Sequence, residues 1–174
     1  TKEIVEKYSL DAVAAECYPM FSGLMNLTAS WLADEGIIVD TEGDIGHTLV
    51  MYILNLAAKG GACALGEIGS IDDEMNILSL AHEGSTAHSL AESIQKVQIS
   101  QSGTRGTFVG LPLKKMEKAT VTSIVGSAGK YRLLIETADI AEARDKEWVE
   151  GGEKLFVKLH MPIKASEVVQ KLID

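Results

Sequence analysis

A chain of 174 residues with 46% hydrophobic and 24% charged side chains has the makeup of a globular protein, long enough for one domain of ordinary size or for a small domain plus part of another. Its formal net charge of −9 argues against nucleic acid and anionic membrane as partners, since both need a basic face. Aromatic residues make up only 5%, so the core must rest on Leu, Ile, Val, Ala and Met.

Cys17 and Cys63 are the only cysteines, and free, buried thiols in a reducing compartment are expected. No apolar run is long enough to span a bilayer, and TKEIVEKYSL lacks the apolar region of a signal peptide. A cytoplasmic protein is expected. The chain opens without Met and in mid-pattern, and is expected to be a fragment of a longer protein.

In chain order, Lys2 to Tyr8 reads as a short amphipathic helix and Asp11 to Cys17 as a buried strand. Pro19 sits where a helix can begin. Met20, Leu24, Leu27 and Trp31 recur at helical spacing, with Gly36 just past the end. Ile37-Ile-Val39 predicts a short strand. Asp44 is a good N-cap for a second long helix, whose inner face is expected to carry Ile45, Leu49, Tyr52, Ile53 and Leu56. That helix stops at Lys59-Gly-Gly61. Alternating helices and strands imply a parallel sheet, and two strands are too few for one, so partner strands are expected upstream of Thr1.

After Gly61 the pattern changes. Segments 63–68, 75–81, 97–100, 107–113, 119–125, 130–137 and 155–160 read as strands separated by turn residues. Gly126-Ser-Ala-Gly129 marks the clearest hairpin, and 166–173 a closing helix with Ser166 as candidate N-cap. The expected fold class is α+β. Residues 1–60 form the end of an α/β domain, and residues 61–174 an antiparallel, Greek-key-like β-barrel of about six strands with a final short helix.

Glu42 and Asp44 precede a helix, where acidic side chains meet its positive end; capping is the ordinary role for Asp44. Glu42 lies outside the first turn, on the carboxyl edge where α/β sheets place ligands. Glu67 falls in an apolar strand and needs a partner, which a salt bridge or a metal supplies equally well. His82 and His160 each end a strand, where a hydrogen-bonded structural histidine is the common case. His47 and His88 have no context that favours ligation. Ser102-Gly-Thr-Arg-Gly106 is an ordinary glycine-bearing loop between strands. Nucleotide-loop, nucleophile-elbow and Cys-x-x-Cys motifs do not occur.

Val39-Asp-Thr-Glu-Gly-Asp-Ile45 followed by Met51-Tyr-Ile-Leu-Asn-Leu56 resembles the L-fucose and L-arabinose isomerase family, where a Glu-x-Asp segment opens a helix. Ala64-Leu-Gly-Glu-Ile68, Asn76-Ile-Leu-Ser-Leu-Ala-His82-Glu-Gly84 and Gly129-Lys-Tyr-Arg-Leu-Leu-Ile135 are similar to later blocks of that family, and Asp11 to Pro19 to an earlier one. The resemblance runs over nearly the whole chain, as the family's C-terminal portion. It implies that Glu42 and Glu67 are the two carboxylates that bind Mn²⁺ and handle the proton, and that His82 is a metal ligand. Mg²⁺ or Co²⁺ are possible substitutes. The family's later metal-binding histidine has no counterpart at Glu153 to Val157, and His160 is the nearby candidate to replace it. Trimers or hexamers with sites at subunit interfaces are implied, as is a small sugar substrate.

Three functions follow as expectations. The first is a metal-dependent aldose–ketose isomerase working through an enediol, with carboxylates returning the proton and a cation offsetting charge. The second is a non-catalytic sugar-binding homologue with an incomplete metal site. The third treats the β-region as an interaction module.

Overall fold

The computed structural model describes residues 1–16, 23–102, 106–127, 129–141 and 155–173. Cys17, Pro19, Met20, the tip of the 102–106 loop and the 153–154 stretch lie outside the described residues. Helix α1 (Lys2–Tyr8), strand β1 (Ala12–Ala14), helix α2 (Asn26–Asp34), strand β2 (Ile38–Asp40) and helix α3 (Ile45–Ala57) follow in order. β1 and β2 pair in parallel, Ala12 with Ile38, Val13 with Val39 and Ala14 with Asp40. Successive side chains of a strand point to opposite faces. Val13 and Val39 accordingly pack with Ala29 and Leu32 of α2, while Ala12 and Ile38 pack with Met51 and Tyr52 of α3. Both faces of this small sheet are covered, as parallel strands require.

α3 begins as its sequence predicts, with Asp44 Oδ1 accepting the His47 amide at 2.9 Å. Its orientation departs from expectation. Ile45, Leu49, Ile53 and Leu56 are 79%, 50%, 45% and 58% exposed, whereas Thr48, Val50, Met51 and Asn55 are buried. The helix is apolar on nearly every side, so periodicity selects no unique inner face. The buried polar residues are satisfied locally: Thr48 Oγ1 donates to Asp44 O at 2.7 Å and Asn55 Nδ2 to Gly61 O at 3.0 Å.

The remaining strands are β3 (Glu67–Asp72), β4 (Ile77–His82), β5 (Gln98–Ser102), β6 (Gly106–Gly110), β7 (Met116–Ser127), β8 (Lys130–Ala141) and β9 (Leu155–His160), closed by helix α4 (Ala165–Ile173). An antiparallel sheet runs β3-β4-β9-β8-β7, and β5-β6 forms a separate ribbon. The α+β class holds. Among the described residues the ladders form an open sheet plus a ribbon, and none links β3 to β7. Leu78, Leu111, Ile140, Val157, Leu159 and Val168 anchor one core shared by the sheet, the residues after β6 and α4. α4 lies against both β3 and β7, the two free edges. Its first turn is held from a distance. Asp73 accepts the Ser166 amide at 2.9 Å and the Ser166 hydroxyl at 2.6 Å, so Ser166 sits inside the helix as donor instead of capping it.

No helix among the described residues is long and apolar enough to cross a membrane. Cys63 is buried, and desolvation pushes its thiol up to about 11.

Candidate functional site: a carboxylate–histidine cluster beyond β2 and β4

β2 is wholly buried, so the chain leaves it with Asp40 and Thr41 both at 0% exposure. Asp40 Oδ1 accepts the amides of Glu42 at 2.9 Å and Asp44 at 3.1 Å, folding the loop back on its own strand. Asp40 Oδ2 is buried with no hydrogen-bond partner among the described residues. Burial raises the Asp40 carboxyl above its ordinary range, and the two amides only partly offset it. An isolated backbone β-bridge also ties Glu42 to Glu16. The left-handed Gly43 (φ +69°) packs against Glu16, where a Cβ would meet its Cα at 3.3 Å.

His82 ends β4, its side chain 3% exposed, with Nε2 3.7 Å from Glu42 Oε1. Glu67 opens β3 opposite Ala81, one register step from His82. Glu67 is exposed, as is every residue of β3, because β3 is an edge strand of the sheet. The expectation of a buried Glu67 is therefore corrected. Its charge still reaches Glu42. The Glu42 carboxyl is raised first by burial, then by the negative charges of Glu67, Asp40 and Glu83. All the charges acting on Glu42 in this way are carboxylates.

His160 lies elsewhere. β4 and β9 are antiparallel, so His82 faces Leu155 while His160 faces Ile77 at the other end of β4. Five residue-to-residue steps of strand separate the two ends, roughly 17 Å. The structure brings Glu42, Glu67 and His82 to one region and leaves His160 out.

Asp44 joins a second chain of contacts. Its Oδ2 is 2.8 Å from His47 Nδ1, and His47 Nε2 is 3.2 Å from Ser123 Oγ on β7. Burial alone would raise the Asp44 carboxyl; the His47 amide and imidazole outweigh it and hold it below its ordinary value. Neither Asp40 nor His47 carries a motif that marks it for a role. A carboxylate at the end of a fully buried strand was the available signal for Asp40.

A cavity of about 650 Å³ lies between α3 and the β-sheet, lined largely by aliphatic side chains such as Leu54, Leu65, Leu80 and Val121. Such walls offer few partners for a polyhydroxylated ligand. The polar cluster, with Glu67 at the cavity wall, has the better chemistry for a sugar.

The donor set of two carboxylates and an imidazole suits Mn²⁺ or a similar divalent ion. Two atoms bound to one cation at about 2.1 Å are separated by close to the Glu42–His82 distance when they subtend roughly 120°. That pair fits. Among the described residues, however, no three His, Cys, Asp or Glu side chains stand close enough to share one ion.

Comparison with known proteins adds a second line. No protein-family model matches the chain. Sulfoquinovose isomerase of Alkalicoccus urumqiensis is 30% identical over 179 residues, covering 99% of this chain and 39% of that protein. Sulfoquinovose isomerases of Priestia aryabhattai and Priestia megaterium are each 30% identical over 140 residues, covering 77% of this chain and 31% of theirs. The chain is thus similar to sugar isomerases along nearly its whole extent, and it spans 39% of the length of the first of these curated relatives.

Proposed function

We propose that this chain carries the carboxylate and histidine side of a metal-dependent aldose–ketose isomerase, with Glu42, Glu67 and His82 as its working residues. The observation that carries the reading is the meeting of His82 Nε2 and Glu42 Oε1 at 3.7 Å, with the Glu67 charge acting on the same carboxylate. The similarity to sulfoquinovose isomerases and the resemblance to the fucose and arabinose isomerases point the same way. Glu42 and His82 would hold the ion, with Glu67 as the further carboxylate of the set. When bound, the cation offsets the negative charge that develops on two adjacent sugar oxygens.

The chain's own residues handle the proton. Carboxylates flanking the site suit taking a proton from one sugar carbon and returning it to the next through an enediol, and Glu42 and Glu67 are the two that the reading assigns to it. Glu67 is the second flanking carboxylate, its charge acting on Glu42, and the Asp40 carboxylate fixes the Glu42 and Asp44 amides of the loop. The reading also takes the β-region as a barrel from residue 61 onward. The way β3 and β7 both border the aliphatic cavity, with α4 across their edges, supports it. A homo-oligomer with shared sites belongs to the same proposal.

The test is turnover of a panel of aldoses, sulfoquinovose included, by the intact protein with and without Mn²⁺. Mn²⁺-dependent conversion that Glu42→Gln and Glu67→Gln each abolish while the fold persists is the expected result. Failure to bind Mn²⁺ together with no turnover of any aldose would reject it. A second reading, sugar binding without isomerisation, draws on the lack of three converged ligands among the described residues. Saturable sugar binding without conversion would establish that one.

A further inference from the structure

Glu42 sits in the loop after β2 and His82 at the end of β4, and a pair of buried hydroxyls joins the loops that follow those two strands. Thr41 follows β2, and Ser85 follows β4 by three residues. Both are 0% exposed, and their Oγ atoms are 3.0 Å apart. Ser85 Oγ donates its one proton to Val39 O at 2.9 Å. The hydroxyl–hydroxyl bond must therefore run from Thr41 as donor to Ser85 as acceptor. The result is a directed chain, Thr41 to Ser85 to the β2 backbone, closed within buried surroundings. Ser85 reaches it at a cost. It adopts a left-handed φ of +53°, and the preceding Gly84 sits at φ +120°, where a Cβ would meet Asn26 Cβ at 2.9 Å. Backbone strain of this kind persists only where the surroundings enforce it.

We infer that the Thr41–Ser85 pair is a positioning clamp that sets the separation between Glu42 and His82. Thr41 precedes Glu42 directly, and β4 carries His82 into the Ser85 turn, so slack at the hydroxyl bond passes to both side chains. The inference rests on the isomerase reading for its consequence, and on the hydrogen bonds alone for its mechanism.

The variants are Thr41→Val, which keeps shape and removes the donor, and Thr41→Ser, which restores it. Two measurements on the intact protein separate the clamp from the reading it rests on. In amide hydrogen exchange, Thr41→Val should speed exchange at residues 83–86 by about tenfold, and Thr41→Ser should return it to within about threefold of the parent. In Mn²⁺ binding, Thr41→Val should weaken affinity roughly 10- to 100-fold with recovery in Thr41→Ser, the size of a lost supporting contact. Unchanged exchange across the loops in Thr41→Val overturns the clamp, whatever the metal result. Coupled exchange with an unaltered Mn²⁺ affinity also overturns it, since the separation of the ligands would then not depend on the bond. If the parent protein binds no Mn²⁺ and turns over no aldose, the isomerase reading falls and the exchange measurement alone decides whether the loops are clamped.

Discussion

The α/β region and the β-region solve burial differently. In the β-region, five strands, the β5-β6 ribbon and α4 enclose one continuous core, with Leu111, Val109 and Val168 almost fully buried. In the α/β region the parallel pair divides its packing into two small clusters, one against α2 and one against α3. α3 then turns Ile45, Leu49, Ile53 and Leu56 outward, and Ile4, Tyr8 and Trp31 are more than half exposed as well. The β-region gathers its apolar residues into one core; the α/β region spends its buried positions on shaping the Asp40–Asp44 loop and leaves apolar faces bare. The lesson is that the site-bearing loop hangs from the less self-sufficient half.

That contrast can be broken most directly in the shared core. Leu111→Ala should lose about 2–5 kcal/mol in chemical denaturation, because a fully buried Leu leaves a cavity its neighbours cannot fill. A loss below about 1 kcal/mol would mean that the β-region core is looser than its burial implies. Asp40→Ala comes next. Two loop amides lose their acceptor, and a cost of about 1–3 kcal/mol is expected even after relief from burying a carboxylate. Asp40→Asn keeps an acceptor and should lie closer to the parent; equal losses for both would place the effect in the charge and not in the amides.

A smaller effect sharpens the electrostatic side. The Glu42 carboxyl is raised above its ordinary value, so its stability contribution is complete below that value and is lost as pH rises through the raised one. Glu42→Gln cannot ionise and should raise the melting temperature at pH 7, with the gain vanishing in acid below the ordinary Glu range. A variant that melts lower than the parent at neutral pH contradicts the repulsion by Glu67, Asp40 and Glu83. The smallest change belongs to the outward stripe. Leu49→Ser should shift stability by no more than about 0.5 kcal/mol. A markedly larger penalty in this chain would show that the stripe is covered and that the two halves are less different than they look.

Much of the local structure was legible. Asp44 caps α3 because a carboxylate just before a helix can accept a first-turn amide, a cause that is local in the sequence. β9 runs over Leu155–His160 as its alternation indicates, and the β7–β8 hairpin turns at its glycine-bearing centre. Glu42, Glu67 and His82 were singled out by residue type and order, with a family resemblance supplying the reason to join them. The expected strand over 63–68 instead begins at Glu67, since the apolar run before it lines the cavity in irregular conformation.

By itself, then, the sequence determined the elements whose causes are local: caps, turns, alternation and the change from parallel to antiparallel character after Gly61. Only the tertiary structure decided which side of α3 is buried, because a helix apolar all round packs on whichever face the sheet leaves open. It decided the fate of the histidines too. Antiparallel register between β4 and β9 sends His160 to the end away from His82, and register is a property of two strands that neither one encodes alone. Glu67 is exposed because β3 became an edge. Thr41 and Ser85, ordinary in the sequence and 44 residues apart, share a buried hydrogen bond because β2 and β4 deliver their loops to one place.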